Sequence, residues 1–172
     1  MIKKISLLLI VLITITLSCE RDDICAEATA TTPHLIIRFH DASNITATKT
    51  VRSLSVIGEG NSTNIVFNTV TDSIVLPLRF QNEGEITTTR FELKKDSDYD
   101  TDTDVNTNSN TDIIEVVYTP QFIYVSRACG YKSIFNDASL DIESDTNNWI
   151  INRDILNTTI DNENAAHIIL YH

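Results

Sequence analysis

The sequence has little that bends or breaks a chain: four glycines and three prolines in 172 residues. That scarcity excludes collagen-like and glycine/proline-rich low-complexity architectures. It also leaves no phosphate-cradling glycine loop and no dinucleotide fingerprint, because only Gly58 and Gly60 are close together. No G-x-S-x-G elbow is present to expose a nucleophilic serine. Cysteine is scarce too, at three, which rules out a disulfide-dense scaffold. Neither C-x-x-C nor H-E-x-x-H occurs among the three cysteines and four histidines. His34 and His40 would share a face of one extended strand yet sit roughly 20 Å apart, and His167 and His172 would face opposite ways. The expectation is therefore no metal centre, no cofactor and no catalytic residue readable by motif. Basic residues are few, 13 against 24 acidic, for a net charge of −11. Such a surface disfavours nucleic acid and anionic lipid headgroups as partners.

What is present begins with MIKKISLLLIVLITITLS: two lysines, then no charge from Ile5 to Leu17. The run is shorter than the ~20 apolar residues of a spanning helix, and its charged start matches a bacterial export signal. The sequence Thr16-Leu17-Ser18-Cys19 resembles a lipobox, where a signal peptidase cuts before a diacylated cysteine. Residues 1–18 are therefore expected to be a signal peptide, 19–33 a lipidated cysteine and tether, and 34–172 a single domain. Removing Lys3 and Lys4 leaves 11 basic against 24 acidic residues, a net charge of −13. With Cys19 consumed by a thioether, Cys25 and Cys129 remain as an even pair in an oxidising compartment, which predicts one disulfide. A catalytic thiolate at Cys129 is the other reading, but no histidine is close to it in sequence.

Isoleucine, threonine, asparagine and aspartate dominate the rest, a composition suited to strands joined by polar turns. Nine short apolar runs recur: HLIIRFHD, VRSLSVIG, NIVFNTV, DSIVLPLRF, EITTTRFELKK, DIIEVVYTP, QFIYVSRAC, NNWIINRDIL and AAHIILYH. In the first, Leu35, Ile37 and Phe39 alternate against Ile36, Arg38 and His40. Thr119-Pro120 reads as the turn between the sixth and seventh runs, and Pro77 demotes part of the fourth. Trp149 to Ile160 also carries a helical stripe, though its asparagines, threonines and isoleucines are poor helix formers. Together these predict an all-β, antiparallel sandwich or sandwich-like barrel of about seven to nine strands.

Between Asp96 and Asp112, DSDYDTDTDVNTNSNTD places aspartates at 96, 98, 100, 102 and 104. An EF-hand loop needs glycine at its sixth position and glutamate at its twelfth. Started at Asp96, those positions hold Thr101 and Thr107. The segment reads instead as a disordered, solvated acidic loop, with weak calcium binding as the alternative. The strand aromatics Phe39, Phe67, Phe91, Tyr118, Phe122, Tyr124 and Trp149 fit core positions or, less simply, a sugar-stacking platform. Asp72-Ser73-Ile74 resembles an acceptor of bacterial O-glycosylation and equally suits the polar start of a strand.

The combination CERDDIC, TTPHLIIRFHD, TDSIVLPL, TRFEL, VSRACGYKSIFND, NWI and ENAAHIILYH resembles the Bacteroidota lipoprotein family known as domain of unknown function 6452. Its members usually carry proline after the second cysteine, where this chain has Ala26. The resemblance implies an envelope lipoprotein and adds no activity. Arg21-Asp22-Asp23, just after Cys19, is similar to the Lys-acidic-acidic surface-export signal of such lipoproteins. The functional expectation is a non-enzymatic binding or accessory subunit of an envelope complex at the outer membrane. Its partners would be the membrane, through the Cys19 lipid, and an envelope protein. The alternative is a glycan-acting envelope hydrolase.

Overall fold

The structure is a computed structural model that describes residues 24–29, 31–97 and 109–172. The expected export segment, Cys19, the Arg21-Asp22-Asp23 run and the middle of the acidic loop lie outside the described residues. Ten strands follow in order: β1 Leu35–Asp41, β2 Asn44–Thr48, β3 Val51–Gly58, β4 Asn64–Thr71, β5 Ser73–Leu76, β6 Thr87–Lys95, β7 Asn110–Ser126, β8 Gly130–Ile142, β9 Asn152–Ile155 and β10 Ile168–Tyr171. The chain divides into two compact units, one of residues 1–29 with 124–131, the other of 30–123 with 132–172.

The larger unit is built from two five-stranded sheets, the sandwich-like all-β architecture that the alternating runs predict. One sheet runs β2-β1-β10-β9, with β5 paired to β1 as well. β5 takes β1 at Leu35 to Arg38 and β2 takes it at His40 and Asp41, so the two share one edge of β1. The other sheet runs β4-β3-β6-β7-β8. Pairing is antiparallel except between β1 and β10, which are parallel with Ile37 opposite Ile168. A parallel pair needs a long crossover, and here almost the whole domain lies between the two strands.

Alternation sets which face each strand buries. Leu35, Ile37 and Phe39 of β1 meet Ile168 and Leu170 of β10, and from the second sheet come Leu54, Val56, Phe91, Leu93, Ile114 and Val116. Each of these side chains is buried. Full burial of one such side chain contributes about 1.5–3 kcal/mol, so this shared core is the main reason the two sheets hold together.

Several expectations need correcting. The run DIIEVVYTP and the run QFIYVSRAC are not two strands separated by a turn at Thr119-Pro120. They form one 17-residue strand, β7, in which Pro120 is buried. Proline is tolerated there because the β6 ladder ends at Thr87 opposite Tyr118, leaving no strand acceptor for the missing N–H. The Pro120 carbonyl accepts from the Gly84 N–H at 2.9 Å. The real reversal lies at residues 127–129, and Gly130 follows with φ 69°, a conformation that costs glycine little. β8 corresponds to none of the nine runs: Ser133 and Phe135 are buried, then Ala138 and Leu140, so the parity changes midway. The switch falls at Asp137, whose φ of 55° marks the irregularity. Short, polar β2 has no apolar run either. Trp149 to Ile160, by contrast, follows its residue types: it contains β9 and no helix. The expected acidic loop is also bounded differently, because Asn110 to Asp112 already belong to β7.

Candidate functional site

The smaller unit carries the features with the least structural explanation. β7 and β8 reverse through Arg127, Ala128 and Cys129, with the Cys129 N–H donating to Ser126 Oγ at 3.0 Å. Cys25 and Cys129 are joined by a disulfide, Cα atoms 4.8 Å apart, across a sequence separation of 104. The pairing predicted by counting thiols is thus present, and Cys129 offers no free thiolate. Ile24 stands beside the bridge with 84% of its surface exposed. Ile24, Ala26, Thr29, Ser126 and Arg127 line a shallow cleft there. Tyr124 and Tyr131 pack edge to face, ring centroids 5.4 Å apart, yet are 58% and 70% exposed. Tyr124 is therefore not a core residue, and alternation misleads at this position because the outward face of a hairpin arm has the same period as the inward one. Tyr131 belongs to none of the apolar runs. One signal in the sequence does point to it: residues 116–136 contain no acidic side chain in a chain with 24 of them.

The larger unit holds the groups with displaced proton affinities, and each is tied to the backbone. Asp112 is only 1% exposed, and its Oδ2 accepts the Ile150 N–H at 2.8 Å. Burial raises its pKa above the usual aspartate value; the Ile150 N–H and a weaker interaction with Asn148 only partly counter this. Its Oδ1 has no well-formed hydrogen bond. Beside it, Trp149 Nε1 donates to the Leu93 carbonyl at 3.2 Å, so the segment before β9 is fastened to the second sheet. Asp112 reads as a fastening for that segment.

His167 is buried as well. Its Nδ1 accepts the Ile36 N–H at 3.0 Å, and Nε2 lies 3.0 Å from the Asn162 carbonyl, to which it donates. A ring that accepts through one nitrogen and donates through the other is neutral, and burial holds its pKa below the ordinary histidine value. Nearby, His34 Nδ1 and Glu163 Oε1 are 2.6 Å apart on the surface, and the His34 N–H also donates to Glu163. That contact lowers the Glu163 pKa. His172 packs edge-on against Phe39 and Trp149, with its pKa lowered by burial. Tyr118 donates to the Arg79 carbonyl at 2.7 Å and contacts Thr89 Oγ1 at 2.5 Å. Burial raises its pKa. Arg90 gathers Glu59, Glu115 and Glu143 around one guanidinium.

Among the described residues no group of three or more His, Cys, Asp or Glu is arranged to hold a metal ion. No described helix is long and apolar enough to cross a membrane.

The last apolar feature is β4, an edge strand. From Asn61 to Thr71 the chain has no charge, and Phe67 and Val70 point largely into solvent, Phe67 with 71% of its surface exposed. No curated protein and no solved structure matches the chain. A family model does match residues 53–172, well over half of the sequence. The chain belongs to the family of unknown function DUF6452.

Proposed function

We propose that this protein is an exported envelope lipoprotein, anchored through Cys19, whose β domain works as a non-enzymatic binding or accessory subunit. The carrying observation is the Cys25–Cys129 disulfide. Such bonds persist in oxidising compartments, and this one starts six residues beyond the cysteine that the lipobox-like sequence marks for acylation. Two further features support the reading. Asp112, His167, Tyr118 and His172 spend their displaced proton affinities on backbone contacts rather than facing a shared cleft. The uncharged β4 edge with exposed Phe67 is the kind of surface that partners cover.

Metabolic labelling with an alkyne fatty acid tests the anchor: the wild-type protein takes up label and Cys19→Ser does not. Label retained in Cys19→Ser sinks the anchor assignment. In-cell crosslinking tests the binding role, with a discrete envelope adduct lost in Phe67→Glu. Identical crosslinking patterns for the two proteins remove β4 as the binding surface.

A further inference from the structure

We infer that the tip of the β7–β8 hairpin docks on the bilayer, with Tyr124, Tyr131 and Ile24 seated at the lipid–water interface of a zwitterionic leaflet. This rests on the lipoprotein reading and adds to it a defined contact surface. Three observations carry it. The first is reach: six residues separate Cys19 from Cys25, so fully extended they span at most about 20 Å. Cys25 is in turn bonded to Cys129 in the hairpin turn. An acyl chain on Cys19 therefore cannot leave the turn far from the headgroups, whatever path the tether takes.

The second observation is the chemistry of the tip. Two tyrosines stacked edge to face, largely exposed, present rings with an apolar body and a hydroxyl end. Side chains of that kind concentrate at membrane interfaces, where the ring leaves water and the hydroxyl keeps it. Ile24, more exposed still, adds an aliphatic group at the cleft it lines with Ser126, Arg127 and Cys129 of the turn.

The third is charge. Across residues 116–136 the only charged side chains are Arg127 and Lys132, whereas the chain as a whole carries −11. Phosphate groups repel an acidic chain, but this segment carries no acidic side chain to be repelled. The lead-in carries Glu20, Asp22, Asp23 and Glu27 against Arg21, a net negative charge that offsets those two cations. Ring insertion, rather than attraction to anionic lipid, is therefore the binding contribution. Because acylation on its own provides attachment, the tip fixes orientation rather than affinity.

The test is hydroxyl-radical footprinting of the acylated protein in phosphatidylcholine vesicles. The reference is the mature chain with Cys19→Ser and the same vesicles. Oxidation of Tyr124 and Tyr131 should slow by about threefold or more in the acylated protein, as expected when exposed rings lose most of their water contact. Equal rates, with acylation confirmed by intact mass, overturn the docking and leave the lipoprotein reading standing. An intact mass without acyl groups on Cys19 overturns both. A Tyr124→Ser/Tyr131→Ser variant, altered only at exposed positions, separates the rings from mere proximity. Its amides at 126–131 should exchange equally fast on vesicles and in solution. Membrane protection that survives in the double variant overturns the role of the tyrosines.

Discussion

Asp112 is a carboxylate that the fold keeps out of water while asking one of its oxygens to hold the Ile150 N–H. Its raised pKa favours the protonated form in the folded state. The stability linked to it is thus fully present below the ordinary aspartate pKa and is lost as pH rises through the folded-state value. His167 acts in the opposite sense. Its lowered pKa favours the neutral ring, so its contribution is present above the ordinary histidine pKa and is lost as pH falls through the folded value. Asp112→Asn should remove the first dependence and keep an acceptor for the Ile150 N–H, whereas Asp112→Ala should cost about 1–3 kcal/mol by orphaning that buried N–H. Denaturant melts from pH 4 to pH 8 check both. A wild-type curve parallel to that of Asp112→Asn throughout excludes an ionisation effect at this site. His167→Gln should flatten only part of the acid limb, since His172 is also held neutral by burial.

At the scale of elements, the contact most exposed to a single change is the one that seats the segment after Pro77. Tyr118 reaches from β7 to the Arg79 carbonyl, and Thr89 of β6 accepts the Arg79 N–H at 3.3 Å. Arg79, three residues beyond the end of β5, is thereby fixed over the second sheet by two side chains. Tyr118→Phe keeps the ring and its edge-on packing against Phe135 but leaves the Arg79 carbonyl without that donor. The expected loss is about 1–2 kcal/mol, read by chemical denaturation, with faster amide exchange confined to residues 78–80. A uniform rise in exchange across the sheet would show that the hydroxyl supports the whole core instead.

Strands with unbroken alternation are legible in the amino-acid sequence alone. β1, with Leu35, Ile37 and Phe39, matches its apolar run in both position and buried face, whereas β3 matches in position only, because the irregularity at Ser53, with φ 45°, moves burial from Val51 to Leu54 and Val56. β8 is not legible in that way, because Asp137 inserts a residue into the count and moves burial from Ser133 and Phe135 to Ala138 and Leu140. β7 reads as two strands because proline is a strong local signal, while what decides its tolerance is where the neighbouring ladder stops. Only β6, which begins at Thr87 opposite Tyr118, holds that information.

For the whole molecule, the disulfide is the covalent crosslink among the described residues, joining positions 104 apart in sequence. In the chain-entropy account a loop of that length is worth about 4–5 kcal/mol, and loss of a native bridge in a small exported domain typically costs about 2–5 kcal/mol. Cys25→Ser/Cys129→Ser should therefore show a lower denaturation midpoint with an unchanged native circular dichroism spectrum. Intact mass after alkylation, without and with reductant, should give no added alkyl groups on these two cysteines and then two. Two alkylated thiols without reductant would refute the bridge.

The sequence by itself determined the all-β class, the faces of the regular strands, the acidity of the surface and the pairing of Cys25 with Cys129. Each depends on local period, composition or a count of thiols, and none requires knowing what lies next to what. Tertiary structure alone decided that β1 lies parallel to β10, that β5 and β2 share one edge, and that Asp112 is buried against Ile150. It also decided that Tyr124 and Tyr131 meet on an exposed hairpin tip. Those outcomes turn on contacts between residues far apart in the chain or on opposite arms of a hairpin. A period of two states that side chains alternate, but only the neighbouring strand or its absence decides which face meets water.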